Sequence, residues 1–267
     1  MKIVKFSSGL GNQVFYYLFY LFLRNKYPKE AIYGYYLKRD LQNHNGLEVN
    51  KVFDVELPKA TPFSNFISFC CHALYKLGIK KFMEPHDPCK MNAVLYCAYY
   101  QDKKYFLDNV SKIKFREVNL DDKNKQIMDL ILNSNSVSVH IRRGDYLKAE
   151  NIKMYGNIAT DDYYKKAIAT ISSKVKEPYF FIFSNDIEWC KSNLYIDKVV
   201  YVQDNTGAKS YIDMFLMSKC KANILANSSF SYWGAMLNEN INKIVVYPHI
   251  WNNVYTPDIF PQNWIGL

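Results

Sequence analysis

From residue 137 onward, β-branched and aromatic runs alternate with amphipathic stretches, and that alternation admits very few folds. Val137-Ser138-Val139-His140-Ile141 reads as a strand and residues 161–176 as a helix. Pro178 to Phe183 reads as a buried strand that stops at Ser184-Asn185-Asp186. A helix over 187–193, a strand over 198–202 and a helix over 211–219 follow. The series continues with a strand over 222–226, a helix over 231–239 and a strand over 244–247, before Pro248. Crossover connections of this length imply an α/β fold, a parallel sheet with helices on both faces. In such a sheet ligands collect at the carboxyl ends of the strands.

The first half is read only coarsely. Residues 2–6 form a strand, Ser7-Ser8-Gly9-Leu10-Gly11 a turn, and residues 12–26 a strongly apolar helix. Beyond it, prolines at 28, 58, 62, 85 and 88 break short aromatic-rich pieces that show no repeat. The chain of 267 residues is long enough for two modest domains with no need of staples. The reading is an N-terminal domain over 1–135, a second over 136–250, and a tail over 251–267 that packs back on the first.

Six cysteines without a C-x-x-C pair do not form a dense disulfide framework, so reduced thiols in a cytoplasmic protein are expected. The apolar run Val14 to Leu23 is half a membrane span and reads as a buried helix. Residues 63–82 mix Phe66, Ile67, Phe69, Leu74, Tyr75 and Leu77 with Lys76, Lys80 and Lys81. A basic amphipathic helix on the inner face of a membrane fits this pattern. Core packing of a helical hairpin fits it as well.

A net charge of +9 selects an anionic partner: nucleic acid, lipid headgroups or a phosphorylated metabolite. The basic residues are scattered, with no RNP motif, zinc-finger spacing or arginine-rich arm, which argues against nucleic acid. The 23 Tyr and 17 Phe suggest aromatic packing and ring surfaces for a sugar, though an AT-rich codon bias explains them too.

Four segments carry chemistry. In a strand, Val137, Val139 and Ile141 face one side while Ser138, His140 and Arg142 face the other. Arg142 is the phosphate candidate, because a guanidinium fork holds two oxygens and keeps its charge. Adjacent Arg143 points elsewhere and pairs with Asp145, while Gly144 permits a sharp turn. A surface salt-bridge cluster is the plain alternative. Asn227-Ser228-Ser229-Phe230-Ser231, between a strand and a helix, is either a helix-end anion site or an ordinary N-cap.

Gly9-Leu10-Gly11-Asn12-Gln13 lacks the third glycine of a dinucleotide fingerprint and the lysine of a P-loop. Asp213 opens a helix, where a carboxylate accepts guanine N–H groups or simply stabilises the helix end. No D-x-D pair, H-E-x-x-H or Cys/His metal spacing occurs. No cofactor and no metal is therefore expected, and a departing diphosphate would be stabilised by protein charge and hydrogen bonds.

Taken together, Gly9 to Gln13, His140 to Tyr146, Phe183 to Asp186 and Asn227 to Trp233 resemble the family-11 α-1,2-fucosyltransferases of bacteria and animals. The resemblance spans nearly the whole chain, and H-x-R-R-G-D-Y with N-S-S-F-S-x-W is a specific combination. It implies a GT-B-like fold, two Rossmann-like α/β domains facing across a cleft, the first for the acceptor and the second for GDP-fucose. It also implies inverting, metal-independent transfer from GDP-β-L-fucose to a galactose-containing glycan.

Carried over by residue, Arg142 contacts the β-phosphate with help from Ser229, and His140 and Asp213 sit near the guanosine. Asn12 and Gln13 reach toward the fucose and diphosphate. Arg142 and Asp145 form the catalytic set. Gly9, Arg143, Ser184, Asn185, Asp186, Asn227 and Ser228 join the substrate-binding set. The sequence departs from the family pattern at Val14-Phe15-Tyr16-Tyr17, where Met-Phe-Gln-Tyr is usual, and at Tyr232, where Trp is commoner. A fucosyltransferase making an α-1,3 or α-1,6 bond, or a non-catalytic sugar-nucleotide binder, would carry the same donor motifs.

Overall fold

A computed structural model describes residues 1–42, 44–86, 89 and 92–267, with Asp145 and Leu147 described in backbone only. The chain divides into two compact units, Met1–Arg116 and Glu117–Leu267.

In the first unit β1 (Lys2–Phe6) is followed by α1 (Leu10–Lys26), β2 (Ile32–Tyr36), α2 (Lys38–Leu41) and α3 (Val49–Val52). After these come α4 (Pro62–Lys76), β3 (Met83–Glu84), β4 (Leu95–Tyr96) and α5 (Lys103–Phe106). The strands form a parallel sheet in the order β2-β1-β4-β3. Ile3, Val4 and Phe6 of β1 are fully buried, as an inner parallel strand covered on both faces requires. The apolar run of α1 is a core helix, its Phe15, Tyr16, Leu18 and Phe19 all buried. Phe19 stacks on Tyr100 with ring centres 3.6 Å apart, and Tyr105 meets it edge-on at 5.1 Å. Much of the aromatic content is thus spent on packing. No helical hairpin follows α4: the chain turns at Gly78 (φ +87°) into a single 3-10 turn, Lys80–Phe82, and then β3.

The second unit begins with α6 (Asp122–Asn133), β5 (Asn135–Ile141), α7 (Ala149–Tyr155), α8 (Asp161–Ser172) and β6 (Pro178–Ser184). It continues with α9 (Ile187–Asn193), β7 (Val199–Val202), α10 (Tyr211–Met217) and β8 (Ala222–Ile224). The last elements are α11 (Ser229–Met236), β9 (Ile244–Tyr247) and β10 (Ile265–Gly266). All six strands are parallel, in the order β10-β9-β8-β5-β6-β7. Val137, Val139 and Ile141 pack against Tyr163, Tyr164, Ala167 and Ile171 of α8. On the other face Phe181 and Phe183 pack against Ile127 and Ile131 of α6 and Ile212, Leu216 and Met217 of α10. The fold is α/β, with two parallel sheets.

Two domain boundaries differ from the sequence reading. The units part at 116/117, ahead of α6, because Ile127 and Ile131 belong to the core of the second sheet. Residues 251–267 form part of the second unit, where Ile265 and Gly266 pair with Val246 and Tyr247. Tyr232 secures this segment: its hydroxyl donates to the Ile259 carbonyl at 2.8 Å, and its ring meets Trp251, Phe260 and Trp264.

Candidate active site

The order of the second sheet reverses at one place. From β5 the chain winds outward through β6 and β7, then returns to lay β8, β9 and β10 on the other side. Loops leaving β5 and β8 therefore diverge to opposite faces and leave a crevice beyond the strand ends. Arg142 and Arg143 follow β5 directly, while Asn227 and Ser228 lie in the turn between β8 and α11.

The two arginines have different surroundings. Arg143 is fixed: its Nε donates to Asp186 Oδ2 at 3.3 Å, and its guanidinium lies 3.9 Å from the Trp189 ring centre. Its backbone N–H donates to Asn185 Oδ1 at 3.0 Å. The sequence pairs Arg143 with Asp145, whose side chain lies outside the described residues; Asp186 is a carboxylate it meets in the structure. Ser184, Asn185 and Asp186 form the support for this loop. Ser184 Oγ accepts from the Asp186 N–H at 3.0 Å, and Asp186 caps α9 by accepting from the Trp189 N–H at 3.2 Å. None of the three lines the cleft described next. Gly144 is required for a reason other than the expected turn. It has no positive φ, but a Cβ there would fall 2.2 Å from Asn185 Nδ2.

Arg142 lines an open cleft of about 380 Å³ together with Arg143, Tyr146 and Asn227. Tyr155, Asn157, Thr160, Asp161, Asp162 and Lys165 form its far wall. Asn157 there adopts φ +58°, a conformation asparagine tolerates better than most residues. Hydrogen bonds tie Tyr146 and Asn227 to this rim. Tyr146 stacks on Tyr155 at 5.0 Å and donates its hydroxyl to the Asn227 carbonyl at 3.0 Å. The Asn227 amide donates to the carbonyls of Tyr155 and Trp251, each at 3.2 Å. Tyr155, Thr160 and Lys165 were not singled out from sequence, for no local motif marks them. Tyr146 lies inside the quoted motif without having been counted.

Strand alternation grouped His140 with Arg142, but β5 ends at Ile141 and the pleat governs no further. His140 lies on the opposite sheet face from α8, 6% exposed, its ring 5.8 Å from that of Phe230. Burial, aided by the nearby Arg142 charge, lowers its pKa to about 3. It is therefore neutral at physiological pH. Its Nδ1 is buried without a hydrogen-bond partner among the described residues.

Ser228 is the N-cap of α11, accepting from the Phe230 N–H at 3.3 Å. Ser229 is the first helical residue and only half-buried, so its amide is among those a helix leaves unpaired within itself. Asp213, in the first turn of α10, accepts from Asn205 Nδ2 at 2.8 Å. Burial raises its carboxyl to about 7, outweighing the lowering by Asn205. Asn205 is held in turn by reciprocal bonds with Asn124 at 3.0 and 2.9 Å.

In the first unit, Gly9 is the N-cap of α1, and its carbonyl accepts from the N–H groups of Asn12 and Gln13. Asn12 Oδ1 accepts from Gln101 Nε2 at 3.3 Å. Gln13 is fully buried and spends its amide locally. Its Nε2 donates to the carbonyls of Ser8 and Gly46 at 2.9 and 2.8 Å, and its Oε1 accepts from the N–H groups of Glu48 and Val49. The geometry thus gives Gln13 a structural role, where the sequence reading had it reach a substrate. Tyr16 is also buried, its hydroxyl 3.0 Å from Ser7 Oγ.

The six cysteines are free thiols, and no described helix is long and apolar enough to cross a membrane. Among the described residues no cluster of His, Cys, Asp or Glu is arranged to hold a metal ion.

Known proteins resemble this chain. The chain is 32% identical to an α-1,2-colitosyltransferase of Escherichia coli, over 99% of its own length and 98% of that protein's. It is 31% identical to the O-antigen biosynthesis glycosyltransferase WbnK of Escherichia coli, over 98% of each chain. Among solved structures, the fucosyltransferase NodZ from Bradyrhizobium superposes with a TM-score of 0.54 at 12% identity, covering 88% of this chain and 92% of NodZ. At that identity the match speaks for the fold, which is of the GT-B type. The model of glycosyl transferase family 11 matches residues 63–267, and with full-length relatives above 30% identity the chain belongs to that family.

Proposed function

We propose that this protein transfers L-fucose from GDP-β-L-fucose to a galactoside hydroxyl, with inversion, to give an α-1,2-linked product. The observation that carries the reading is the coincidence of Arg142 and the start of α11 with the strand-order reversal between β5 and β8. In the proposed reaction the bond from fucosyl C1 to the β-phosphate oxygen breaks, and the acceptor hydroxyl oxygen bonds to C1 from the opposite face as its proton passes to water. The electron pair of the broken bond stays on GDP. Arg142 and the Ser229 amide take up that charge, a preorganised electrostatic role that needs no resident metal. Arg143, held by Asp186 and Trp189, keeps the loop and its neighbour in place. Neutral His140 and the Asp213–Asn205 pair are assigned to the guanosine side.

A second reading concerns the donor sugar. The resemblance over 99% of the chain to an α-1,2-colitosyltransferase favours testing GDP-colitose, whose sugar is fucose without the 3-hydroxyl. Both readings keep the same diphosphate chemistry. They are separated by incubating the enzyme with each donor and a panel of galactosides, then assigning donor and linkage by NMR of the product. Arg142→Ala is expected to abolish turnover while the thermal transition is kept; near-normal activity would sink its role. Turnover undiminished by a chelator is expected as well. No GDP release with any acceptor would leave a sugar-nucleotide binder.

A further inference from the structure

Helices that cover a sheet ordinarily turn large apolar side chains inward and polar ones to water. The helix α4 follows this only in part: Ile67 and Tyr75 pack partly buried on the core of the first sheet, but its three phenylalanines do not. Ser64, Ser68 and Cys71 are buried against the first sheet, while Phe63, Phe66 and Phe69 are 63%, 62% and 66% exposed. Leu77, just past the helix, is 78% exposed. The inward hydroxyls are satisfied locally: Ser64 Oγ accepts from the Thr61 N–H at 2.9 Å, and Ser68 Oγ donates to the Ser64 carbonyl at 2.9 Å. The inward face is thus made of Ser64, Ser68 and Cys71 with Ile67 and Tyr75, and the three rings lie outside it. At roughly 150–250 Å² per ring, three rings exposed by about two-thirds leave a few hundred Å² of apolar surface. Patches of that size on soluble proteins mark interaction sites.

The surrounding charge identifies the partner. Residues 62–75 contain no Asp, Glu, Lys or Arg, and the first charges beyond are Lys76, Lys80 and Lys81, all exposed. No acidic residue occurs between Glu56 and Glu84. A second copy on this face would bring two sets of these lysines to one interface, with no acidic residue in 57–83 to offset them. An anionic bilayer accepts both halves of the pattern, rings below the headgroups and ammonium groups among the phosphates.

We propose that the outward face of α4, extended by Lys80 and Lys81, is a peripheral docking surface for an anionic lipid bilayer. This surface lies outside the donor cleft and does not depend on the transferase reading.

Flotation of the full chain with vesicles tests it. Wild type is expected to float with phosphatidylcholine vesicles containing phosphatidylglycerol, and to stay behind with phosphatidylcholine alone. Replacing the rings (Phe63→Ser, Phe66→Ser and Phe69→Ser together) is expected to weaken binding by more than about tenfold, since each buried methylene counts. Removing the charges (Lys76→Gln, Lys80→Gln and Lys81→Gln) is expected to cost roughly fivefold per lysine, and added salt should mimic it. Circular dichroism checks that both variants fold; if the ring variant does not, the lysine variant carries the test. Wild type left behind by anionic vesicles overturns the proposal, as does unchanged flotation of a folded variant. A dimer in sedimentation velocity that dissociates on ring replacement, without vesicle binding, assigns the face to a second copy.

Discussion

At the scale of the residue, His140 and Asp213 titrate in opposite senses, and each makes a prediction. The pKa of His140 is lowered to about 3, against an ordinary value near 6.5, so below pH 6.5 the unfolded chain binds the proton and the folded one does not. Its contribution to stability is complete above pH 6.5 and is lost as the pH falls toward 3. At pH 5 the loss is about 2 kcal/mol, fixed by the unfolded value alone. His140→Asn should therefore flatten the fall in denaturation midpoint between pH 7 and 5; an unchanged slope would show that His140 is protonated in the fold. Asp213 runs the other way. With its folded pKa near 7, the native state holds the extra proton between about pH 4 and 7, so stability is lost as the pH rises from about 4 through 7. Asp213→Asn should gain stability relative to wild type at pH 8 more than at pH 5. A third residue, Gly144, is tested sterically. Gly144→Ala must displace the Asn185 amide and break its bond to the Arg143 N–H. A loss of about 1 kcal/mol in stability is expected, with a much larger fall in turnover, because the loop bearing Arg142 moves.

At the scale of the element, α1 illustrates how a motif in sequence becomes a structural staple. Gln13 ties the first turn of α1 to Gly46, Glu48 and Val49 through a single buried amide. Gln13→Leu keeps the side-chain volume but leaves those backbone groups unpaired in the interior. The expected cost is several kcal/mol, seen as a lowered denaturation midpoint, with Asn12→Ala far milder. Equal effects of the two would remove this role from Gln13. Sequence could not show it, since the partners lie more than thirty residues away. The same contrast decides what was legible elsewhere. The strands β5, β6, β7 and β9 carry enough β-branched and aromatic residues to read directly, whereas β3 and β4 have two residues each and no pattern. The short helices α2 and α3, of four residues each, are equally silent. The helix α6 carries readable signals, Asp121 as N-cap and Ile127 and Ile131 one turn apart, and the structure places it with the second unit rather than before the 135/136 boundary. At the site, the division between Arg142 and Arg143 followed from adjacency. Their true neighbours did not, because pleating stops at Ile141 while the loop beyond is shaped by Asn185, Asp186 and Trp189.

At the scale of the whole molecule, the two units have separate sheets and separate cores, and Arg142 and Ser229, proposed to take up the charge of the leaving diphosphate, both belong to the second. Binding of GDP should therefore act on one unit in particular. A ligand that binds only the native state stabilises it by mass action, about 2.7 kcal/mol at a hundredfold excess over Kd. Hydrogen exchange shows where that stabilisation falls. Amides at the end of β5, through the Arg142–Tyr146 loop and at the start of α11, should exchange more slowly with GDP present. So should the first turn of α10, if Asp213 meets the base. The ends of β9 and β10, on the same sheet but away from the reversal, should change little, which separates local contact from general tightening. Protection spread evenly over all six strand ends would mean that the crevice between β5 and β8 is not where the nucleotide sits.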